Sequence, residues 1–250
     1  MVLGGSGPAP RARLVGAVGP RTVVIAADSG LEAAVDARIV VHHVVGDLDS
    51  VAPAALAVAE RAGAEVHRHP SDKDATDGEL ALDLAVDLLT HRLDTRSEPT
   101  HLVVAGGGGD RLDHLLGDVL ALIDDRLGAF DVTAHLGPAT LTVVRPGRSR
   151  SLVGRPGEVV SLLVPRSSAR GVTTRGLRWP LDDGDLAPGS TRGTSNEMVS
   201  DEAQVSLRSG TLVAILPGHL ARSVEPRSSV YDPSPRLADG FGGSDCHRPQ

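Results

Sequence analysis

The sequence predicts an α/β protein in which a parallel sheet flanked by helices is followed by a smaller all-β sandwich. Three observations carry that prediction. Short Val/Ile-rich runs recur through the first 137 residues, each closing on polar or glycine residues, with Ala/Leu-rich helical stretches between them. Beyond Gly137 the helical periodicity stops, and strand-like runs divided by Gly, Pro and Asp take over. Apolar residues make up 40% of the chain but aromatics only 2%, so the core must be Val, Leu, Ala and Ile, as strands buried on both faces require.

The elements follow in order. Val23–Ala27 and Ile39–Val45 read as buried parallel strands, ending in Asp28-Ser29-Gly30 and Gly46-Asp47. Pro53 suits a first helical position and opens an Ala-rich helix to about Ala62, which Gly63 ends. Glu65–His69 reads as the next strand. Thr76-Asp77-Gly78-Glu79 has the form of a capping box, and Leu80, Leu84 and Leu88 mark the buried face of the helix it starts. Strand His101–Ala105, a glycine loop, a helix from about Leu112 to Leu127 and strand Asp131–His135 complete a doubly wound, Rossmann-like alternation over residues 1–137. Residues 138–221 hold the strand-like runs Leu141–Val144, Val159–Val164, Gln204–Leu207 and Thr211–Leu216. Residues 222–250 are rich in Ser, Pro, Arg and Gly without periodicity and read as a disordered tail.

Composition excludes several classes. A net charge of −7 argues against a nucleic-acid binder, which would carry a basic stripe. Cys246 is the single cysteine, so neither an internal disulfide nor a cysteine zinc site can form. The N-terminus lacks a charged, apolar signal pattern, and no apolar run approaches membrane-spanning length. A soluble cytoplasmic protein is the expectation.

The chemistry gathers at the ends of the predicted strands. In an open α/β sheet ligands bind outside the carboxyl ends of the strands, where Asp28, Asp47, Asp49, the Lys73–Asp77 loop and the Gly106–Asp113 loop would lie. Taken as extended backbone, Asp47 and Asp49 point the same way. One aspartate at a turn needs no function, but Asp47, Asp49, Asp74, Asp77 and Asp113 at one edge repel unless a cation intervenes. Magnesium takes such hard oxygen ligands together with phosphate oxygens. Among 25 basic residues Lys73 is the sole lysine. It can set a compact charge on a phosphate, with Asp74 orienting it or reaching the metal through water. The glycines from 106 to 109, Gly107 and Gly108 among them, let backbone amides approach phosphate ahead of a helix N-terminus. Arg111 supplies a phosphate-binding fork, and Asp113 is placed to act on metal or hydroxyl. His114 is expected to be a structural hydrogen-bonder. In the β region Trp179, between Arg178 and Pro180, suits a rim position that stacks on a planar or cationic ligand. Ser195-Asn196-Glu197 offers hydrogen-bonding groups without a charge relay, so nothing supports hydrolase chemistry.

Gly-Asp-Leu-Asp-Ser at 46–50, Lys-Asp-Ala-Thr-Asp-Gly-Glu at 73–79, Gly-Asp-Arg-Leu-Asp-His at 109–114, Gly-Leu-Arg-Trp-Pro-Leu at 176–181 and Thr-Ser-Asn-Glu at 194–197 together resemble the thiamine pyrophosphokinase family. The resemblance implies an α/β nucleotide domain and a β-sandwich, assembled as a homodimer with sites at the subunit interface. It implies the reaction ATP + thiamine → AMP + thiamine diphosphate. Asp47, Asp49 and Asp77 would bind Mg²⁺, and Lys73 and Arg111 would hold phosphates together with Asp28, Asp74, Gly107 and Gly108. Asp113 would orient or deprotonate the hydroxyl. Ser195 and Asn196, from the partner subunit, would contact thiamine, with Trp179 near its rings. The chain departs from the pattern at Ser29-Gly30-Leu31-Glu32, where Gly-Gly-Ala-Asn is usual, and at Asp118, where Asn is commoner. Two other readings are a pyrophosphokinase acting on another hydroxymethyl heterocycle, such as a pterin, and a non-catalytic nucleotide-binding module. The first would lack Trp179 and Ser195-Asn196; the second would lose one or more of Asp47, Asp49, Asp77 and Arg111.

Overall fold

The computed structural model describes residues 1–4, 11–90, 100–106 and 111–218. Strands and helices alternate through the first part of the chain: β1 Val2–Leu3, α1 Arg11–Gly16, β2 Ile25–Ala27, α2 Gly30–Ala37, β3 His43–Gly46, α3 Pro53–Arg61, β4 Glu65–Arg68, α4 Asp77–Thr90, β5 His101–Ala105, α5 Leu112–Leu122 and β6 Asp131–Leu136. These six strands are parallel neighbours in the order β6-β5-β1-β2-β3-β4. The chain steps outward from β1 to β4 and then returns to the other side of β1 with β5. That reversal opens a crevice between the carboxyl ends of β1 and β5.

Both faces of the sheet are covered, and the alternation along each strand decides which core a side chain joins. Ile25, Ala27 and Val45 face Ala81, Leu82 and Ala85 of α4. Val24, Ala26 and Val44 face Leu31, Ala34, Ala55 and Ala59 of α2 and α3. Fully burying a leucine such as Leu31 stabilises by roughly 1.5–3 kcal/mol.

Local chemistry explains where elements start and stop. Pro53 is the first residue of α3, as expected. Thr76 Oγ1 accepts the Glu79 N–H at 3.2 Å, half of the expected capping box. The Glu79 carboxylate does not close the box; it lies 3.3 Å from Arg126 Nη2. β2 begins later than the sequence predicts, the Val24 N–H donating to the His42 ring at 3.2 Å, and β3 begins later because the Ile39 N–H still closes the end of α2 on the Ala34 carbonyl. The helix expected to reach Leu127 stops at Leu122, where Asp124 caps a 3-10 turn, Asp125–Leu127, by accepting the Arg126 N–H. Helix α2 rests on Gly30, where a Cβ would fall 2.3 Å from the Leu3 carbonyl oxygen.

After β6 the strands turn antiparallel: β7 Ala139–Val144, β8 Arg150–Val153, β9 Val159–Leu163, β10 Ala169–Arg175, β11 Gly184–Leu186, β12 Asn196–Glu197, β13 Glu202–Ser206 and β14 Leu212–Leu216. β7 pairs with β6 across the Gly137-Pro138 turn, so one ten-stranded sheet, β12-β9-β14-β7-β6-β5-β1-β2-β3-β4, runs through the position where the sequence changes texture. A four-stranded sheet, β11-β10-β13-β8, packs over its antiparallel end. Val172, Val205 and Leu152 from the smaller sheet meet Val160, Leu212 and Ala214 from the larger. Residues 219–250, which include the expected tail, lie outside the described residues. Among the described residues no helix is long and apolar enough to cross a membrane.

Candidate active site

The carboxyl ends of β2, β3 and the β4–α4 connection bring the predicted acidic residues together. Asp28, immediately after β2, has a positive φ of 45°, and its N–H donates to the Val45 carbonyl. Gly46 ends β3 with φ 144°; a Cβ there would lie 3.0 Å from Asp77 Oδ1, so only glycine lets the start of α4 come so close without displacing that carboxylate. Next comes Leu48 at φ 63°, a conformation that costs a branched residue on the order of 1–3 kcal/mol. The strained turn lets the Asp49 N–H donate to Asp47 Oδ1 at 3.3 Å. Asp47 and Asp49 thus converge through a tight turn and not through the extended alternation that the sequence suggests. Asp28, Asp47 and Asp49 each place a carboxylate oxygen within 4.8 Å of the others.

Lys73 bridges this group to α4. Its Nζ lies 3.1 Å from Asp47 Oδ2 and 3.2 Å from Asp77 Oδ1. Hydrogen bonding to Lys73 holds the Asp47 carboxyl below the usual range. Desolvation opposes the charge on Lys73, but Asp47 and Asp77 outweigh it and raise its pKa. Asp28 goes the other way. Burial pushes its carboxyl up, the Ser29 N–H opposes that, and the charges of Asp77, Asp49 and Asp47 add to the rise. Its Oδ1 is buried without a hydrogen-bond partner among the described residues. Four carboxylates against one ammonium, with Asp28 Oδ1 unpartnered and Asp77 Oδ1 held only by its ion pair to Lys73 among the described residues, make a donor set that fits a hard divalent cation. The sequence groups Asp77 with Asp47 and Asp49 as metal ligands. The structure gathers Asp28 with that pair and sets Asp77 against Lys73. The signal for Asp28 was its place after β2, because Ala27 and Val45 are register partners.

A cavity of about 560 Å³ opens beside this cluster at the crevice between β1 and β5. Asp28, Lys73 and Asp77 line one side, and Asp113, His114 and Asp118 of α5 line another. Gly4 and Gly106 form the wall between them. Gly106 has φ 121°, and a Cβ there would fall 2.3 Å from the Gly4 carbonyl oxygen, so the two strand ends meet backbone to backbone. Gly107 and Gly108 lie outside the described residues. Asp74 is exposed and, like Asp49, is not part of the cavity lining.

Arg111 and Asp113 face each other as a fork-to-carboxylate pair at 3.2 and 2.6 Å. That bond pulls the Asp113 carboxyl down to about 2. A carboxylate this acidic is a poor proton acceptor at neutral pH while the guanidinium stays on it. Asp118, noticed in the sequence only as a departure from a pattern, has its carboxyl pushed up by burial, with His114 opposing.

The β-region residues form a separate corner. Asn196 is buried, and its amide is spent on the backbone. Its Nδ2 donates to the Trp179 carbonyl at 2.7 Å, while Oδ1 accepts the N–H groups of Trp179 at 3.1 Å and Glu197 at 2.8 Å. Trp179 stands 54% exposed with the Arg178 guanidinium 5.1 Å from its ring centre, and Arg178 is paired with Glu197 at 2.8 Å. Exposed Ser195 has φ 57° and donates its N–H to Ser161 Oγ. None of Trp179, Ser195 and Asn196 lines the cavity of its own chain.

These features define an α/β protein whose sheet crevice joins a glycine-walled cavity to a cluster of carboxylates, continued by an antiparallel β region. A family model described as the thiamin pyrophosphokinase catalytic domain matches residues 18–128, and one described as the thiamin pyrophosphokinase vitamin B1 binding domain matches residues 150–212. The chain belongs to the thiamine pyrophosphokinase family. It is 26% identical over 207 residues to the thiamine pyrophosphokinase of Bacillus subtilis, an alignment that covers 81% of this chain and 90% of that protein. The crystal structure of the thiamine pyrophosphokinase from Bacillus subtilis matches with a TM-score of 0.72 at 25% identity, covering 88% of this chain and 98% of that one. Yeast thiamin pyrophosphokinase matches with a TM-score of 0.65 at 14% identity, covering 86% and 84%, a likeness of fold.

Proposed function

We propose that the chain is a thiamine diphosphokinase that uses ATP and Mg²⁺ and gives thiamine diphosphate and AMP. The thiamine hydroxyl oxygen forms a bond to the β-phosphorus and gives up its proton to solvent, the bond from that phosphorus to the bridging oxygen of AMP breaks, and AMP leaves with the electron pair. Such a transfer needs positioning and charge neutralisation more than covalent chemistry. The observation that carries the reading is the cluster of Asp28, Asp47 and Asp49, with Lys73 joining Asp47 to Asp77 and Asp28 Oδ1 buried without a partner among the described residues, beside the crevice cavity.

Asp28, Asp47 and Asp49 are the residues that would hold the divalent ion, with Asp77 beside them. Bound there, the ion would neutralise charge on the polyphosphate. Lys73 holds a phosphate oxygen while fixing Asp47 and Asp77 in place. Arg111 trades its bond to Asp113 for one to phosphate, and Asp113 then orients the thiamine hydroxyl. While Arg111 stays on it Asp113 is a poor proton acceptor, so its oxygens become available to the hydroxyl only as Arg111 moves to phosphate. Trp179 and Ser195 meet thiamine from a second copy of the chain, and Asn196 holds the Trp179 backbone. Their absence from the cavity of their own chain supports a homodimer with shared sites. A cytoplasmic location, with its supply of ATP, belongs to the same reading.

Product analysis tests it. Purified protein mixed with Mg²⁺, ATP and thiamine is expected to give thiamine diphosphate and AMP in equal amounts. ADP with thiamine monophosphate would overturn the diphosphoryl transfer.

A further inference from the structure

On the β3–β4 pair at the edge of the sheet lies a second cluster, built from different chemistry. Glu65 and His67 are two apart on β4 and share a face, while His43 opens β3 and is the register partner of Glu65. His43 Nδ1 and His67 Nε2 are 3.1 Å apart. The two Glu65 oxygens lie 3.6 Å from the His43 nitrogen and 3.7 Å from the His67 nitrogen.

We propose that His43, Glu65 and His67 form a binding site for a zinc-class transition-metal ion that staples edge strand β4 to β3. Around a tetrahedral ion with bonds of about 2.0–2.1 Å, neighbouring donor atoms stand roughly 3.3–3.4 Å apart; the His–His separation lies just below that value and the two His–Glu separations, each to a different carboxylate oxygen, just above it. A plain hydrogen-bonded His–His pair accounts for the shortest side alone. Separations of 3.6 and 3.7 Å exceed hydrogen-bond length, yet they suit two ligands of one ion. The imidazole side chains are 15% and 26% exposed and the carboxylate 67%, which leaves a path for entry and a face for a water as fourth ligand.

The donor types separate this site from the acidic cluster beyond the carboxyl ends of β2 and β3. Two imidazoles and a carboxylate favour zinc and its neighbours, whereas an all-carboxylate set favours magnesium. The ion would bind the native chain and not the unfolded one, and so would raise stability without touching the transfer chemistry. The inference stands whether or not the proposed reaction is right.

The test uses the full chain, stripped with chelator and held in excess Mg²⁺ so that the acidic cluster is occupied. Zn²⁺ is then titrated by calorimetry, and Co²⁺ by visible absorption. One equivalent of Zn²⁺ should bind and raise Tm, and Co²⁺ should give the strong d–d bands of a tetrahedral nitrogen-ligated ion. His67→Ala should weaken Zn²⁺ binding by at least about 100-fold and abolish the Tm rise, because losing a ligand costs more than losing its outer support. Asp49→Asn should bind Zn²⁺ as the unaltered chain does. If His67→Ala does not fold, exposed Glu65→Gln serves, with binding weakened about tenfold or more. No Zn²⁺ binding by the unaltered chain, undiminished binding by the His67 or Glu65 variant, or loss in Asp49→Asn would each overturn the site.

Discussion

The acidic crevice and the Trp179 corner are built on opposite principles. In the crevice Asp28 and Leu48 sit at positive φ, the one lysine pairs with two of four carboxylates, and Asp28 Oδ1 is buried without a hydrogen-bond partner among the described residues. At the corner every polar atom of the Asn196 amide used in the fold has a backbone partner, and the exposed indole lies beside its own arginine. The crevice is unfinished without a ligand, and strain and repulsion are stored there. The corner is finished by itself and presents a shape. Substitutions should therefore affect catalysis in the crevice, and binding or stability at the corner.

The largest effect is expected from Asp49→Asn. Asp49 is exposed, so the fold should survive, but removing one carboxylate from the cation cradle should lower kcat by about 10³-fold. Activity within tenfold of the unaltered chain, with an unchanged circular-dichroism spectrum, would remove Asp49 from the cradle. Lys73→Arg should come next, at about 100-fold in kcat/KM. A planar guanidinium cannot take the compact position between Asp47 and Asp77, although the charge is kept. An active Lys73→Arg enzyme would mean that the sole lysine of this arginine-rich chain is an accident of composition. At the corner, Trp179→Ala should raise the thiamine KM about tenfold and leave the ATP KM alone. Asn196→Ala should lower stability by about 1–3 kcal/mol because it strips partners from the Trp179 and Glu197 backbone. If both variants changed kcat as strongly as Asp49→Asn, the contrast between the two regions would fail.

The same contrast separates what was legible in the sequence from what was not. Strand-end aspartates, Pro53 at the start of α3 and Thr76 as an N-cap are local signals, written within a few residues of where they act. The place of Asp28 after β2 puts it at the same sheet edge as Asp47, but that it, rather than Asp77, groups with Asp47 and Asp49 follows from the parallel pairing of β2 with β3, which no local pattern reports. The Glu79 carboxylate looked local but goes to Arg126, because an ion pair brought by another element competes with the capping box. Strand β10 reads Ala-Arg-Gly-Val-Thr-Thr-Arg, with too few apolar residues to announce a strand, yet Ala169, Val172 and Thr174 are buried because a second sheet closes over them. Asn196 reads in the sequence as a substrate contact, and the fold adds that its amide also bonds the Trp179 and Glu197 backbone.

The smallest expected effect belongs to Asp118, where the crevice is costly but not obviously useful. Burial raises its carboxyl pKa above the ordinary value, so the folded chain holds that proton more tightly than the unfolded one. Its contribution to stability is fully present below the unfolded pKa, about 3.9, and is lost as pH rises through the folded value. At neutral pH the ionised, half-buried carboxylate therefore works against folding. Asp118→Asn removes the charge and keeps the shape, and should raise stability at pH 7 by about 1 kcal/mol or less, a shift of roughly 2–4 °C in Tm for a chain of this size. Melting measured from pH 4 to pH 8 should show the two proteins converging in acid and separating toward neutrality. An equal gap at every pH would mean that packing, not the charge, sets the difference. A less stable variant at pH 7 would mean that the Asp118 carboxylate has a partner worth more than its burial costs.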